Sequence, residues 1–180
     1  AALAAAIAAG LLLAGLVLYA RNYTRHANAR WPADGRFIEA HGARLHVREL
    51  GAKDAPALLL IHGASANLRE LWGPLAELTR DFRIIAYDRP GMGHSTRVRR
   101  GAAALASQAC VAADVLAATG QGPAILVGHS LGAAVALRVA LDHPNLVTGV
   151  VAIAPACNPY DGDNAWWVRR SATPLSGHLL

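Results

Sequence analysis

The sequence predicts an α/β fold, in which a mostly parallel sheet carries helices on both of its faces. From residue 57 onward, short and continuous apolar runs alternate with longer segments of helical pattern. Strands without a polar face are typical of a sheet that is covered on both sides. Ahead of this pattern, residues 1–20 hold no charge and form one candidate transmembrane helix.

Composition limits the classes of protein to consider. The chain has 180 residues, is 54% hydrophobic and 16% charged, and is long enough for one domain with a packed core. Its net charge is +5, but the basic residues are scattered and are not interleaved with aromatic ones, so we expect no nucleic-acid partner. The basic cluster RVRR at residues 97–100 predicts a solvated loop, with contact to anionic lipid head groups as the alternative.

The N-terminal run predicts a membrane anchor. As a helix, residues 1–20 would extend roughly 30 Å, which matches one bilayer crossing. A cleaved signal peptide, with ANA at residues 27–29 as the cleavage site, and an Ala-rich helix of a soluble protein are the alternatives. Arg21, Arg25 and Arg30 follow the run and favour a cytoplasmic position for the rest of the chain. The chain begins with Ala and not Met, so charges upstream could reverse that orientation.

The predicted organisation is an anchor at 1–20, a polar connector at 21–35, an α/β core at 36–157 and the start of a lid at 158–180. Two alternating runs, 36–40 and 44–50, are joined by His41, Gly42 and Ala43 and predict a hairpin. Gly73 and Pro74 predict a break in the first helix of the core. The remaining predicted strands are 57–61, 83–87, 124–127 and 146–154, and the predicted helices lie near 67–80, 101–119 and 131–142.

The pentapeptide GHSLG, residues 128–132, stands where a strand must turn sharply into a helix. At such a turn the serine side chain projects from the carboxyl edge of the sheet, and close packing of strand and helix requires glycines on both sides. Ser130 is therefore the candidate nucleophile, Gly128 and Gly132 are structural glycines, and the N–H of Leu131 is a candidate oxyanion donor. The alternative is a serine that only caps the helix.

A second oxyanion donor must come from another strand end. IHGAS, residues 61–65, leaves an apolar strand, and Gly63 allows the loop to bring the N–H of Ala64 beside Ser130.

Three motifs in order, LLLIHGAS, IIAYDRPGMGHS and ILVGHSLGAAVALRVALDHP, closely resemble the α/β-hydrolase fold superfamily and its small esterase-like members. The resemblance covers residues 36 to 160. It implies that Ser130 is the nucleophile, that Ala64 and Leu131 form the oxyanion hole, and that a lid begins after residue 155. The expected substrate is a small carboxylic ester cleaved through an acyl-enzyme, without a cofactor.

Other functions remain open at this point. A peptidase or a perhydrolase would use the same serine, and a non-catalytic binding protein would use only the scaffold. Epoxide and haloalkane hydrolysis is disfavoured, because relatives with those activities carry Asp where this chain has Ser130.

A serine hydrolase also needs a histidine base and an orienting carboxylate, in the chain order Ser, acid, His. Asp161 or Asp163 with His178 is the pair in that order after the last strand. The family places its histidine after two further strands, so we expect the acid and the histidine to lie beyond Leu180. The chain is then an N-terminal fragment of a protein of about 300 residues. By itself it is expected to lack appreciable esterase activity.

Several neighbouring side chains are assigned other roles. His62 and His129 are interpreted as orienting or packing residues, because each is too close to Ser130 along so tight a turn to act as the base. His143 lies at the far end of the helix, about 20 Å away. Asp88 is predicted to fix its own loop through backbone N–H groups, and Ser95 is not expected to be a nucleophile.

The last candidates are sulfur and aromatic side chains. Cys110 and Cys157 are predicted to be buried single thiols, and their spacing predicts no metal site. Trp166 and Trp167 are predicted to pack a lid, with substrate or membrane contact as the alternative.

Overall fold

A computed structural model describes residues 1–98, 103–120 and 122–157. The candidates Asp161, Asp163, Trp166, Trp167 and His178, together with the predicted start of a lid, lie outside these residues. Arg99 and Arg100 of the basic cluster also lie outside them, and the neighbouring Arg97 is exposed.

The order of elements follows the predicted α/β alternation. The helices are α1 Ala2–Arg30, α2 Arg69–Leu75, α3 Leu105–Ala118 and α4 Leu131–Asp142. The strands are β1 Arg36–Ala40, β2 Ala43–Leu50, β3 Ala57–Ile61, β4 Arg83–Tyr87, β5 Ala124–His129 and β6 Val147–Ile153. Short 3₁₀ helices occupy Ala76–Arg80 and Pro144–Leu146.

The six strands form one sheet in the order β1-β2-β4-β3-β5-β6. The strands β4, β3, β5 and β6 run parallel, and the hairpin of β1 and β2 adds an antiparallel edge. The hairpin turn is His41 and Gly42, both at positive φ, and Ala43 already belongs to β2. Because parallel strands end at the same edge, the loops that follow β3, β4 and β5 meet there.

Helices cover both faces of the sheet, as predicted. Alternate side chains of β3 divide between two cores: Leu59 and Ile61 pack on the side of α3 and α4, and Leu58 and Leu60 on the side of α2. All five residues of β3 are buried. This burial on both faces explains why the sequence of the strand is a continuous apolar run.

The helix α1 is longer than the sequence predicts. Residues 21–30, which were predicted as part of a polar connector, continue the helix to Arg30. They contain no glycine or proline, and Pro32 then disfavours helical backbone at the residue before it. All but one residue of α1 are exposed, Leu11 by 70% and Leu18 by 65%. It is long and apolar enough to cross a bilayer, a test that a signal sequence also meets.

Two further expectations have different outcomes. The predicted break in the helix near 67–80 is confirmed, since Pro74 lies inside α2 and the α-helix changes to 3₁₀ at Ala76. The prediction of two buried thiols is wrong, because Cys110 is only partly buried and Cys157 is exposed. Cys157 follows β6, which is the outermost strand of the sheet within the described residues and whose last residues are themselves exposed.

Candidate active site

Ser130 occupies the turn between β5 and α4. Its backbone has φ 52° and ψ −116°, a combination that residues other than glycine rarely adopt. The turn is held by hydrogen bonds from Ser130 N to the Ile153 carbonyl at 2.9 Å and from Ala156 N to the Ser130 carbonyl at 3.2 Å. Ser130 is the N-cap residue of α4, but its hydroxyl makes no capping hydrogen bond. A helix-capping role therefore does not account for this serine.

The glycines on either side of Ser130 lie where strand and helix nearly touch. A Cβ atom added to Gly128 would lie 2.5 Å from Ala133 Cα, and one added to Gly132 would lie 2.5 Å from the His62 carbonyl oxygen. Both neighbours are backbone atoms and cannot move aside cheaply. Glycine is therefore required at both positions for α4 to approach β3 and β5 this closely.

Gly63, in the loop after β3, lies against the Ser130 turn. A Cβ atom added there would be 3.1 Å from His129 Nδ1 and 3.4 Å from Ser130 Cβ. The strands β3 and β5 are paired, with Ile61 opposite Gly128, which brings their two loops together. Ala64 follows Gly63 and is exposed.

The carbonyl of Gly63 is fixed by two buried donors. His62 Nδ1 lies 2.9 Å from this oxygen, and Arg89 Nη2 donates to it at 2.8 Å. Arg89 is itself only 3% exposed and also bonds to the side chain of Gln108 in α3. In a trans peptide the carbonyl and the following N–H point in opposite directions, so the N–H of Ala64 points away from Arg89.

His62 is held neutral by its surroundings. The backbone N–H of Arg89 donates to Nε2 at 2.9 Å, so Nδ1 carries the proton that bonds to the Gly63 carbonyl. Burial, followed by the positive charge of Arg89, lowers the pKa of His62 to about 4. Both ring nitrogens are engaged, which agrees with the predicted orienting role.

Glu70, in the first turn of α2, joins the loop after β3 to the Ser130 turn. Its Oε2 accepts a hydrogen bond from Gly63 N at 2.7 Å, and its Oε1 lies 3.2 Å from His129 Nδ1. Sequence reasoning missed both Glu70 and Arg89. An acidic residue in a first helical turn is ordinary, and the only signal for Arg89 was its place directly after Asp88.

Asp88 fixes the loop after β4, as predicted. Its carboxylate accepts hydrogen bonds from His94 N at 2.9 Å and Leu68 N at 2.8 Å, and it lies 2.9 Å from Nδ1 of the fully buried His46. Burial alone would raise the pKa of Asp88, but these hydrogen bonds together lower it below its ordinary value. Ser95 bonds to the Asp88 carbonyl at 2.6 Å and accepts from His46 N, so its hydroxyl is already engaged.

The structure thus brings together Gly63, Gly128, Ser130 and Gly132, with Leu131 opening α4 at the same turn. His143 is the C-cap residue that follows α4, at the opposite end of the helix from Ser130. Asp161, Asp163 and His178 lie outside the described residues, so the acid and base candidates have no position here.

We predict that Gly132→Ala destabilises the protein by at least about 2 kcal/mol, because the new methyl group overlaps backbone of the β3 loop. Gly149→Ala is the matched control: the nearest atom to an added Cβ there lies at 3.8 Å, an ordinary contact. Its effect should stay within about 0.5 kcal/mol. Chemical denaturation of both variants measures the difference, and equal stabilities would contradict the close approach.

The lowered pKa of His62 predicts a pH dependence of stability. The unfolded chain takes up a proton on this ring as the pH falls below about 6.5, whereas the folded chain does so only near 4. The free energy of unfolding should therefore decrease as the pH falls through this window. A His62→Gln variant should lack that part of the decrease. Identical pH slopes for the two proteins would show that His62 is not held neutral.

The sequence matches known proteins over most of its length. A sequence profile described as alpha/beta hydrolase fold matches residues 56–174. RutD of Escherichia coli O9:H4 (strain HS), whose name proposes carbamate hydrolysis, is 35% identical over 101 residues, which cover 56% of this chain and 38% of RutD. The magnesium-chelatase 30 kDa subunit of Rhodobacter capsulatus is 34% identical over 116 residues, 64% of this chain and 40% of that subunit. The chain thus spans about two fifths of the length of these relatives.

The fold is also similar to solved structures. A membrane phospholipase A, described as a bacterial virulence factor, superposes with a TM-score of 0.70 and 27% identity, covering 92% of this chain and 56% of the phospholipase. The sequence profile, the strand order and the strained serine between β5 and α4 agree with one another. The chain belongs to the alpha/beta hydrolase fold family.

Proposed function

We propose that this chain carries the nucleophile and the oxyanion hole of a serine hydrolase that cleaves carboxylic esters. The observation that carries the proposal is the strained backbone of Ser130, whose hydroxyl makes no capping hydrogen bond. Ser130 lies against Gly63, whose carbonyl is fixed by His62 and Arg89. Strained backbone is concentrated at active sites, and Ser130 is only partly buried, so its side chain is not enclosed in the core. Membership of a hydrolase family supports a hydrolytic reaction.

In the proposed reaction, Ser130 Oγ attacks the ester carbonyl carbon and the carbonyl oxygen becomes negatively charged. The N–H groups of Ala64 and Leu131 would donate to that oxygen, one from the loop after β3 and one from the first turn of α4. The start of α4 adds the positive end of a helix dipole. The alcohol leaves with a proton, and water then releases the acid from the acyl-enzyme.

The reaction needs a base to accept the Ser130 proton. His62 is excluded, because both of its ring nitrogens are already hydrogen-bonded and its pKa, lowered to about 4, makes it a weak base. Within the chain, Asp161 or Asp163 with His178 is the candidate pair, and residues beyond Leu180 are the preferred source of the acid and the histidine.

We predict that a fluorophosphonate probe labels the protein that carries this chain and that Ser130→Ala abolishes the labelling. Such probes phosphonylate only activated serines, and a missing nucleophile removes the reaction completely. Ser107→Ala, in α3, is the matched control and should label at the wild-type rate.

Labelling of the Ser130→Ala variant would contradict the assignment of the nucleophile. Absence of labelling in the wild-type protein would favour a non-catalytic binding protein on the same scaffold. A peptidase or a perhydrolase would label equally, so turnover of p-nitrophenyl esters against peptide substrates separates those activities from ester cleavage.

We also propose that residues 1–20 anchor the protein in a lipid bilayer, with the catalytic side in the cytoplasm. The end of α1 is tied to the edge of the sheet that carries Ser130: His94 Nε2 lies 2.9 Å from the Trp31 carbonyl, and Arg69 donates to the Pro32 carbonyl at 2.8 Å. The ten residues of α1 that follow the apolar run rise about 15 Å, so this edge would lie near the membrane surface. The similarity to a membrane phospholipase A supports an ester substrate that binds at the membrane surface.

We predict that Leu11→Arg lowers the fraction of protein that stays in membranes after an alkaline carbonate wash. A central arginine costs about 2.5–3.5 kcal/mol of insertion free energy. Asn22→Arg, beyond the apolar run, should have no effect. N-terminal sequencing that finds cleavage after Ala29 would instead identify a signal peptide.

A further inference from the structure

We infer that Glu70 is a positioning residue that sets the spacing between the two halves of the oxyanion hole. The inference rests on the proposed serine hydrolase function. Each proposed donor follows a different strand, Ala64 after β3 and Leu131 after β5. Glu70 contacts both strand ends, through Gly63 N at 2.7 Å and His129 Nδ1 at 3.2 Å.

The bond to Gly63 is the stronger of the two contacts. At 2.7 Å, with an ionised acceptor, it is a short charge-assisted hydrogen bond. The approach to His129 is an ion-pair distance without hydrogen-bond alignment, since Nδ1 has no geometrically satisfied partner among the described residues. The side chain of Glu70 is 29% exposed, so water competes only in part for its oxygens.

Gly63 needs such a restraint because of its own chemistry. Its lack of a side chain permits the close approach to His129, beside Ser130, but it also gives this residue more backbone freedom than any other. His62 and Arg89 hold the peptide that follows Gly63, whereas Glu70 holds the peptide that precedes it. Without Glu70, the peptide that precedes Gly63 loses its restraint toward α2 and the Ser130 turn, and the loop after β3 can shift and carry the N–H of Ala64 away from the proposed oxyanion position.

If Glu70 only stabilised α2, the effects of its substitutions would differ. A negative charge in the first turn of α2 favours that helix through its dipole, whichever acidic residue provides it. Two conservative variants separate the roles. Glu70→Gln keeps the length and an acceptor oxygen but loses the charge, and Glu70→Asp keeps the charge but is one methylene too short to reach Gly63.

The first measurement is the hydrolysis of p-nitrophenyl butyrate by the protein that carries this chain. Positioning predicts that Glu70→Asp lowers kcat about tenfold or more, because the oxyanion is stabilised only in the transition state, and that KM changes less than about threefold. Glu70→Gln should keep kcat within about threefold of the wild-type value. Glu77→Asp and Glu77→Gln, at an exposed position in the adjoining 3₁₀ helix, are the matched controls and should change neither parameter.

Exchange of the Gly63 amide hydrogen, followed by NMR, tests the hydrogen bond from Gly63 N to Glu70, here called the clamp, without catalysis. It should accelerate in Glu70→Asp and stay slow in Glu70→Gln. Unchanged exchange in Glu70→Asp, or a kcat loss in Glu70→Gln with none in Glu70→Asp, would overturn the inference. Accelerated exchange in Glu70→Asp in a protein without esterase turnover would support the clamp and contradict the proposed function instead.

Discussion

The backbone of Gly63 is held from both sides by buried or half-buried polar groups. Its carbonyl accepts from His62 and Arg89, and its N–H donates to Glu70. These bonds counter the backbone freedom of a glycine at which an added Cβ would lie only 3.1 Å from His129 Nδ1, beside the Ser130 turn. The direction of the Ala64 N–H, and with it the proposed oxyanion hole, follows from this restraint.

Polar contacts also fix the other loops at the carboxyl edge of the sheet. Asp88 organises the loop after β4 and also holds Leu68, just before α2, the helix that presents Glu70. On the other side, the end of β6 holds the amide of Ser130 through Ile153. Three loops are thus fixed relative to one another by polar contacts, while the apolar faces of β3 and β5 hold the strands in register.

Local sequence was sufficient for the elements of this fold. Continuous apolar runs such as β3 and β4 could be assigned to a covered parallel sheet because both of their faces are buried. The turn at Ser130 and its glycines could be anticipated because a strand, a small-residue pentapeptide and a helix are adjacent in the chain. The continuation of α1 through residues 21–30 of the predicted connector could not be anticipated, since polar residues without glycine or proline are compatible with either a connector or a helix.

Side chains that act across the fold could not be identified in this way. Glu70, Arg89 and His46 each contact a residue on another element, and nothing in their immediate neighbours indicates the partner. The exposure of Cys157 likewise follows from the position of β6 as the outermost strand among the described residues, and that position depends on strand order. Such contacts become visible only when strand order and register are known.

The most direct measurement is a crystal structure of the protein with Ser130 phosphonylated, because the phosphoryl oxygen mimics the oxyanion. We expect this oxygen to lie about 2.7–3.1 Å from the backbone nitrogens of both Ala64 and Leu131. The Gly63 carbonyl should still face His62 and Arg89. A phosphoryl oxygen directed to solvent, or a Gly63 carbonyl turned toward Ser130, would contradict the proposed oxyanion hole.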